Sequence, residues 1–524
     1  MPDLRKIFLL ISFFLCAIAL FAQETDEKQV KSGSQPVRLE IETRQDTEPF
    51  TVIPFGPKGM LLFYESVAVT DDKDHTVWIF KLYDVNFRQV WIQEMPILKD
   101  LKYEKSVSHN DLLYLIFYNR EKSFDGNNFE IVTVPGTKDG LIAAKTGKIP
   151  DKSLLAHFTI WHQKALLGII SDDDQSSIIG FDLSTGEQFP TPLTNARFTF
   201  LLDMKLDTAA GTLHAFYKTY DNEANEFIYY RQFNEHGDSL LTVPVYNDAA
   251  RYLINSGEIL LPGYGQVLII GTFKDNPKGK TDNVYNGLDI ESSGIFVTRL
   301  TGTSVDFMKY YNFSEFSSFY KNLSVNDLSR IRKRDKKGEE ITIDYNLLVH
   351  NIIRLEDGYV FVAEAYYPEY HTVTRMMYDW YGRPMPSYYN VFDGYRYTSA
   401  FVTRFDKEGN MLWDNGMELW DILSNKLENR VNVIFDGEET ILAFNFKGEI
   451  TYKAFTAKEE QQSLEYVPIE SKHTRDKMTS ESGSNMMYWY RNYFLVYGYQ
   501  RIRNTMLSEE DKRNVFYVNK IAFD

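Results

Sequence analysis

One hydrophobic hairpin recurs eight times along this chain. Its first strand reads MLLFYE at Met60–Glu65, LLYLIFY at Leu112–Tyr118, ALLGIIS at Ala165–Ser171 and TLHAFY at Thr212–Tyr217. It returns as VLIIGTF at Val267–Phe273, YVFVAEA at Tyr359–Ala365, TILAFNF at Thr440–Phe446 and YFLVYGY at Tyr493–Tyr499. The central residues Leu62, Tyr114, Leu167, His214, Ile269, Phe361, Leu442 and Leu495 are 52, 53, 47, 55, 92, 81 and 53 residues apart. Most of these steps approach the roughly 40–50 residues of one four-stranded propeller blade. The two long steps contain insertions.

Each marker strand has a partner downstream, at Val77–Tyr83, Phe129–Val134, Ser177–Leu183, Phe227–Phe233, Gly294–Leu300, Ala400–Phe405, Ile450–Phe455 and Asn514–Ile521. Several partners turn over through an Asp or Asn that caps its own backbone and a Gly that takes positive φ, as in Asp182–Gly186, Asn234–Gly237 and Asp406–Gly409. A fourth strand follows, as at Gln89–Met95, and a shorter one precedes each marker, as at Arg197–Leu202 and Arg430–Phe435. That gives four antiparallel strands per unit, A to D, with almost no helical period. One such sheet cannot bury both faces, whereas eight arranged radially bury one another.

The expected fold is therefore all-β, an eight-bladed propeller over residues 36–524. The last unit lacks a fourth strand. Val37–Thr43, an alternating strand ahead of the first unit, is expected to supply it and close the ring. A stacked β-solenoid is the alternative, but it needs shorter rungs and no closure.

The N-terminus reads as a secretory signal. Arg5 and Lys6 precede the apolar run Ile7–Ala19, and Ala17-Ile18-Ala19 and Leu20-Phe21-Ala22 offer small-residue cleavage sites. Cleavage before Gln23 leaves residues 23–35 as a flexible lead-in. The run is short for a membrane span, and no integral membrane segment is expected after its removal. The chain's single cysteine, Cys16, lies inside the signal, so the mature chain can form neither a disulfide nor a thiolate metal site. A formal net charge of −16 repels phosphate backbones, which argues against nucleic acid as a partner.

Three insertions fall in neighbouring units. They are Lys274–Ser293 (B–C, fifth unit), Ser317–Ile341 (from the fifth unit to the sixth) and Tyr366–Thr398 (B–C, sixth unit). Strand parity puts all three on one face of the ring, where they are expected to touch. The middle one has an imperfect helical stripe through Phe316, Phe319, Tyr320, Leu323, Val325, Leu328 and Ile331, and ends in the cationic run Arg330–Lys337. That run is either a latch for an acidic partner or a solvated helix end. The third is dense in Tyr, Trp and Arg, the residue types of binding hot spots. Its candidate binding residues are Tyr370, Arg375, Trp380, Tyr381, Arg383, Tyr388, Tyr389 and Arg396. It is read as a loop, with Trp380, Tyr381, Arg383 and Arg396 on the wall of a recess, or as a loop folded back onto the propeller.

Chemical motifs do not survive inspection. Gly237-Asp238-Ser239-Leu240 spells the start of an esterase signature but sits in a C–D hairpin. Asp71-Asp72-Lys73-Asp74 and Asp172-Asp173-Asp174 lack the glycine and terminal glutamate of a calcium loop. His157 and His162 flank Trp161 without a third ligand and read as ordinary strand residues. No phosphate loop or dinucleotide fingerprint occurs, and no cofactor is expected.

Phe21-Ala22-Gln23, the Asp-x-x-Gly hairpins, Phe392–Thr398, Leu412-Trp413-Asp414-Asn415 and Tyr497-Gly498-Tyr499-Gln500 resemble a family of exported β-propellers of the Bacteroidota. The resemblance implies the propeller fold and export, and no particular activity. With no C-terminal sorting domain visible, the periplasm or cell envelope is the expected location. The expected function is a binding or scaffold protein that docks an envelope protein or glycan on its elaborated face and does not catalyse. The alternative is a propeller hydrolase or lyase, which would need a cluster of carboxylates, or of His with carboxylates, on the inner strands.

Overall fold

The computed structural model describes residues 34–43, 50–67, 72–119, 128–171, 175–194, 198–221, 225–245, 251–276, 291–318, 343–435, 439–455, 464–504 and 512–523. Positions 264, 379 and 474 are excepted, and 196, 329, 331, 333, 336 and 337 are included. The expected signal, most of the expected lead-in, and most of the first two insertions lie outside the described residues, as does the helical stripe expected of the middle one.

Eight antiparallel sheets follow one another along the chain, and each is built on a four-stranded A–B–C–D meander. They form an eight-bladed β-propeller. The hydrophobic hairpins are the B and C strands, and their apolar runs are buried because each sheet is covered on both faces by its neighbours. Aromatic rings fill the wedges between blades. Trp78 of blade 1 meets Phe117 of blade 2 at 5.0 Å, Phe129 of blade 2 meets Phe181 of blade 3 at 5.2 Å, and Tyr311 of blade 5 meets Phe405 of blade 6 at 5.6 Å. A large ring fully buried in this way contributes about 1.5–3 kcal/mol.

The C–D turns form as their residues dictate. Asp182 accepts from the amides of Ser184 (2.8 Å) and Thr185 (2.9 Å), while Gly186 takes φ +81°. The hydroxyl and amides around that carboxylate hold its pKa down at about 2. Asn234 with Gly237 and Asp406 with Gly409 repeat the device. Gly237–Leu240 accordingly lies in the C–D hairpin of blade 4.

The ring closes as the sequence implies. Val37–Glu42 pairs antiparallel with Lys512–Ala522 as the fourth strand of blade 8, Val37 opposite Lys520 and Glu42 opposite Val515. Polar side chains lock the seam. Arg38 donates to Glu40 (2.7 Å), Asn519 (2.9 Å) and Gln500 (2.9 Å), and Arg513 joins Asp476 (2.5 Å) to Glu40 (3.3 Å). Burial pushes the Asp476 carboxyl up, but hydrogen bonds from Arg513 and Asn504 prevail and bring it down to about 2.

Among the described residues no helix is long and apolar enough to cross a membrane.

Candidate functional site

Blade 6 departs from the other seven. Its B strand runs from Gly358 to Tyr378 and its C strand from Pro384 to Asp406, paired from Gly358↔Asp406 out to Tyr378↔Pro384 with register shifts at Ala365/Tyr366 and Glu369/Tyr370. The third insertion is thus not a loop, and this corrects the sequence reading. It is a two-stranded ribbon growing straight out of the blade, with a turn through Trp380, Tyr381 and Gly382, where Gly382 takes φ +71°. Twelve residues from Tyr367 to Tyr378, at about 3.3 Å each, give a reach of about 40 Å.

Only the root of the ribbon is packed. Tyr366, Tyr395 and Tyr397 join Leu419, Ile422 and Val431 in a core shared with blade 7, while Tyr395 and Arg396 pair with Ser424 and Leu423. Arg396 binds the Glu369 carboxylate there. Beyond the root the rings are exposed. Trp380 keeps 96% of its surface in solvent, Tyr381 80% and Tyr378 72%. Neither the folded-back loop nor the recess wall is observed. A recess of about 540 Å³ lies instead between blades 3 and 4, lined by Leu193, Thr194, Tyr217, Tyr229, Arg231 and Thr242.

Directly opposed residues share a face. One face of the ribbon therefore carries Tyr370 with Phe392, Thr372 with Asn390, Thr374 with Tyr388, and Met376 with Pro386. The other carries His371 with Val391, Val373 with Tyr389, Arg375 with Ser387, and Met377 with Met385. Both faces are apolar in large part. Tyr370 meets Phe392 at 5.5 Å, Phe392 meets Tyr395 at 5.1 Å, and the Arg383 guanidinium lies 5.7 Å from the Tyr381 ring. The candidate residues thus separate into a tip (Trp380, Tyr381, Arg383), two faces (Tyr370 and Tyr388; Arg375 and Tyr389) and a root (Arg396).

Of the first two insertions the described residues include mainly the roots. The first two meet at their roots, where Ser292 bridges to Tyr345, the Ser293 hydroxyl donates to Asp344 at 2.6 Å, and Lys274 pairs with Asp344 at 2.5 Å. The ribbon's root leans the other way, onto blade 7.

A second arrangement was not anticipated. The A strands of blades 2 to 5 each carry one extra residue at the same level: Glu104, Ala156, Leu202 and Asn255. Such a bulge re-aims the side chain beside it. The residues that follow are Lys105, His157, Asp203 and Ser256. Lys105 donates to the Ala156 carbonyl of the next blade, and His157 bonds the Leu202 carbonyl of the blade after that. Asp203 accepts from the Ile259 amide at 2.7 Å, and Glu258, 3.6 Å from Lys205, accepts from the Ile352 amide at 2.6 Å. Glu364 of blade 6 continues the series, taking His350 at 2.7 Å and the amides of Arg430 and Val431 at 2.9 Å. Lys105, His157, Asp203, Glu258 and Glu364 each stitch one blade to the next, while Ser256 bonds Thr272 within its own blade.

This belt brings imidazole and carboxylates together on the inner strands. Burial and nearby Lys105 lower the His157 pKa to about 4, so the ring is neutral at pH 7. Burial raises Asp203 and Glu258, against backbone amides and Lys205, which favour their ionised forms. His157 Nδ1 lies 3.7 Å from Asp203 Oδ1, beyond hydrogen-bond length. Read strand by strand, His157 looks ordinary. Its signal is positional, because Lys105, His157, Asp203 and Ser256 recur at steps of 52, 46 and 53, in time with the repeat.

No family model and no curated protein matches this chain. Solved structures do. A dihydro-heme d1 dehydrogenase, NirN, shares 10% identity, with 94% of this chain and 80% of that one covered and a TM-score of 0.40. A prolyl endopeptidase shares 8%, with a TM-score of 0.37, and the 81% of this chain that matches spans half of that protein's length. The WD40 domain of SCAP from fission yeast shares 7%, covering 90% and 98% of the two chains, with a TM-score of 0.36. At these identities the likeness is one of fold. Most of these structures are peptidases or other enzymes, which runs against the expectation that this chain does not catalyse, but at these identities and TM-scores they assign it no activity. The inner belt sets one His 3.7 Å from one carboxylate, the residue types that the enzymatic alternative named.

Proposed function

We propose that this protein is exported to the cell envelope and docks a protein partner on the blade 6 ribbon. One observation carries the reading, the ribbon with apolar side chains on both faces and at its tip. An isolated two-stranded hairpin is marginal in water, and exposed apolar surface of this density marks an interaction site. Composition favours a protein over a glycan. From Tyr367 to Arg396 the ribbon has three Met and no Lys, and protein interface cores are rich in aromatics, Met and Arg and poor in Lys. Its three acidic residues (Glu369, Asp379, Asp393) balance three arginines (Arg375, Arg383, Arg396), while the whole chain carries −16. The ribbon is thus a neutral arm on a body that repels other acidic surfaces.

The test is capture from envelope extract by the purified mature chain, compared with the Trp380→Ala, Tyr381→Ala, Arg383→Ala triple variant. Loss of a defined protein with an unchanged melting curve supports the reading. Equal capture removes the tip from the interface, and loss of a polysaccharide in place of a protein turns the reading to glycan.

The inner belt supports a second reading, a hydrolase or lyase acting at the ring axis. Turnover of a peptide or glycan library that Asp203→Asn or His157→Gln abolishes, with the ring still folded, would establish it.

A further inference from the structure

The two outer edges of the ribbon are not equivalent. Pro384 and Pro386 stand two residues apart in its second strand, so their nitrogens face the same side. Both sit opposite first-strand residues, Tyr378 and Met376. Proline has no N–H to give a ladder, so the missing donors lie on the outer edge. Nearer the root that edge is already taken by the pairing of Tyr395 and Arg396 with Ser424 and Leu423. Edge strands are protected from pairing by such devices. The outer edge of the first strand has proline only at Pro368, and none from Glu369 to Tyr378. The same phase turns the N–H and C=O groups of Tyr370, Thr372, Thr374 and Met376 outwards along it.

We infer that this edge pairs with the same edge of a second copy of the chain, two ribbons joining about a two-fold axis into one four-stranded antiparallel sheet. The inference rests on the ribbon being a docking element, with its edge taking the second copy and each tip lying beside the other copy's root. Identical strands paired antiparallel are symmetric about one point, and charge selects it. Centred on Thr372, Tyr370 faces Thr374, His371 faces Val373, and Glu369, whose carboxylate also holds Arg396 of its own chain, faces Arg375 in a closely spaced, non-hydrogen-bonded pair. Centring on Val373 sets His371 against Arg375. Centring on Thr374 sets Val373 against Arg375 and leaves Glu369 with no cation across the axis. In the Thr372 register Pro368 falls opposite Met376, and its missing donor ends the ladder at each side.

The geometry also keeps the two acidic rings apart. Each Tyr367 root lies opposite the other copy's Met377, so the roots are ten residues, about 33 Å, from each other. That is several screening lengths at physiological salt. Pairing further converts a two-stranded ribbon into a four-stranded sheet, which water tolerates far better.

Sedimentation velocity of the mature chain, from about 1 to about 100 µM, tests this. A concentration-dependent shift from monomer to dimer is expected. Thr372→Pro should abolish the dimer. Arg375→Glu, which leaves the Glu369–Arg396 pair intact, should weaken it about tenfold or more, and Arg375→Lys should not. Melting curves verify that the ring stays folded in each variant. A wild-type chain that stays monomeric, or a dimer indifferent to Thr372→Pro or to Arg375→Glu, would overturn the inference. A monomer that still captures its partner through Trp380 and Tyr381 removes self-pairing and leaves the docking reading standing. A dimer that captures nothing does the reverse.

Discussion

The closing strand of blade 8 and the ribbon of blade 6 are both segments that reach beyond an ordinary blade, and they are finished in opposite ways. The closing strand spans six residues, Val37–Glu42, and its Arg38 and Glu40 are held by side chains drawn from across the seam: Asp476, Gln500, Arg513 and Asn519. The ribbon adds about a dozen residues per strand, yet beyond its root the polar links are few, chiefly His371 to Asp393 at 2.5 Å and Thr372 to Asn390 at 3.0 Å. The rest is rings and methionines in solvent. A partner within the same chain is always present, so the seam can be specified by partly buried charges that would be costly unpaired. A surface that must also exist alone is better served by uncharged apolar groups.

Four experiments press on that contrast. Deleting residues up to Thr43 should have the largest effect, because it opens blade 8 along its whole outer edge. A melting temperature lowered by roughly 10 °C or more, or loss of a cooperative transition, is expected. An unchanged melt would mean that closure contributes little. Arg513→Ala comes next. It strands Asp476, whose side chain is fully buried, beside Glu40, and should cost about 3–5 kcal/mol in denaturant unfolding.

Acid should act third. The folded pKa values of His157 and His214 are both lowered to about 4, chiefly by burial, from an ordinary 6.5. The unfolded chain therefore binds more protons than the folded one between these values. Their contribution is complete above pH 6.5 and is lost as pH falls toward 4, by roughly 2–3 kcal/mol for each ring. Asp476 adds a further loss only as pH drops through its unfolded value toward about 2. Replacing both histidines with Gln should flatten the upper window, and a slope that persists would point to other groups. The smallest effect is reserved for the ribbon. Exchanging residues 368–394 for a short Asn-Gly turn should move stability by about 0.5 kcal/mol or less. A large loss would make the ribbon part of the fold and weaken its reading as a docking arm.

How far these features could be read in the sequence follows from their range. The blades announce themselves locally, through apolar B and C strands and Asp-to-Gly turns at regular steps. The closing strand is legible because Val37–Thr43 alternates and the eighth unit ends one strand short. The ribbon's chemistry was visible but its shape was not. Strand signals depend on one face being polar, and with apolar residues on both faces no such alternation exists, while Pro368, Pro384 and Pro386 argue for a loop. The belt was hidden for another reason. Lys105, His157, Asp203 and Glu258 reach backbone groups about 45 to 95 residues further on, across blade boundaries. No periodicity within one strand reports that.

The direction of the closing strand has a mechanical consequence. Because Val37 lies opposite Lys520, and the Ala522 amide bonds back to Ser34 at 3.0 Å, the chain before the strand and the chain after its partner leave from the same end of the seam. Tension between the two termini would load the ladder one bond at a time, like a zip. Tension on the ribbon tip runs instead along the B and C strands of blade 6 and loads many bonds at once in shear against strands A and D. A ring tethered by its termini would give way at low force. The same ring held by its ribbon would carry load.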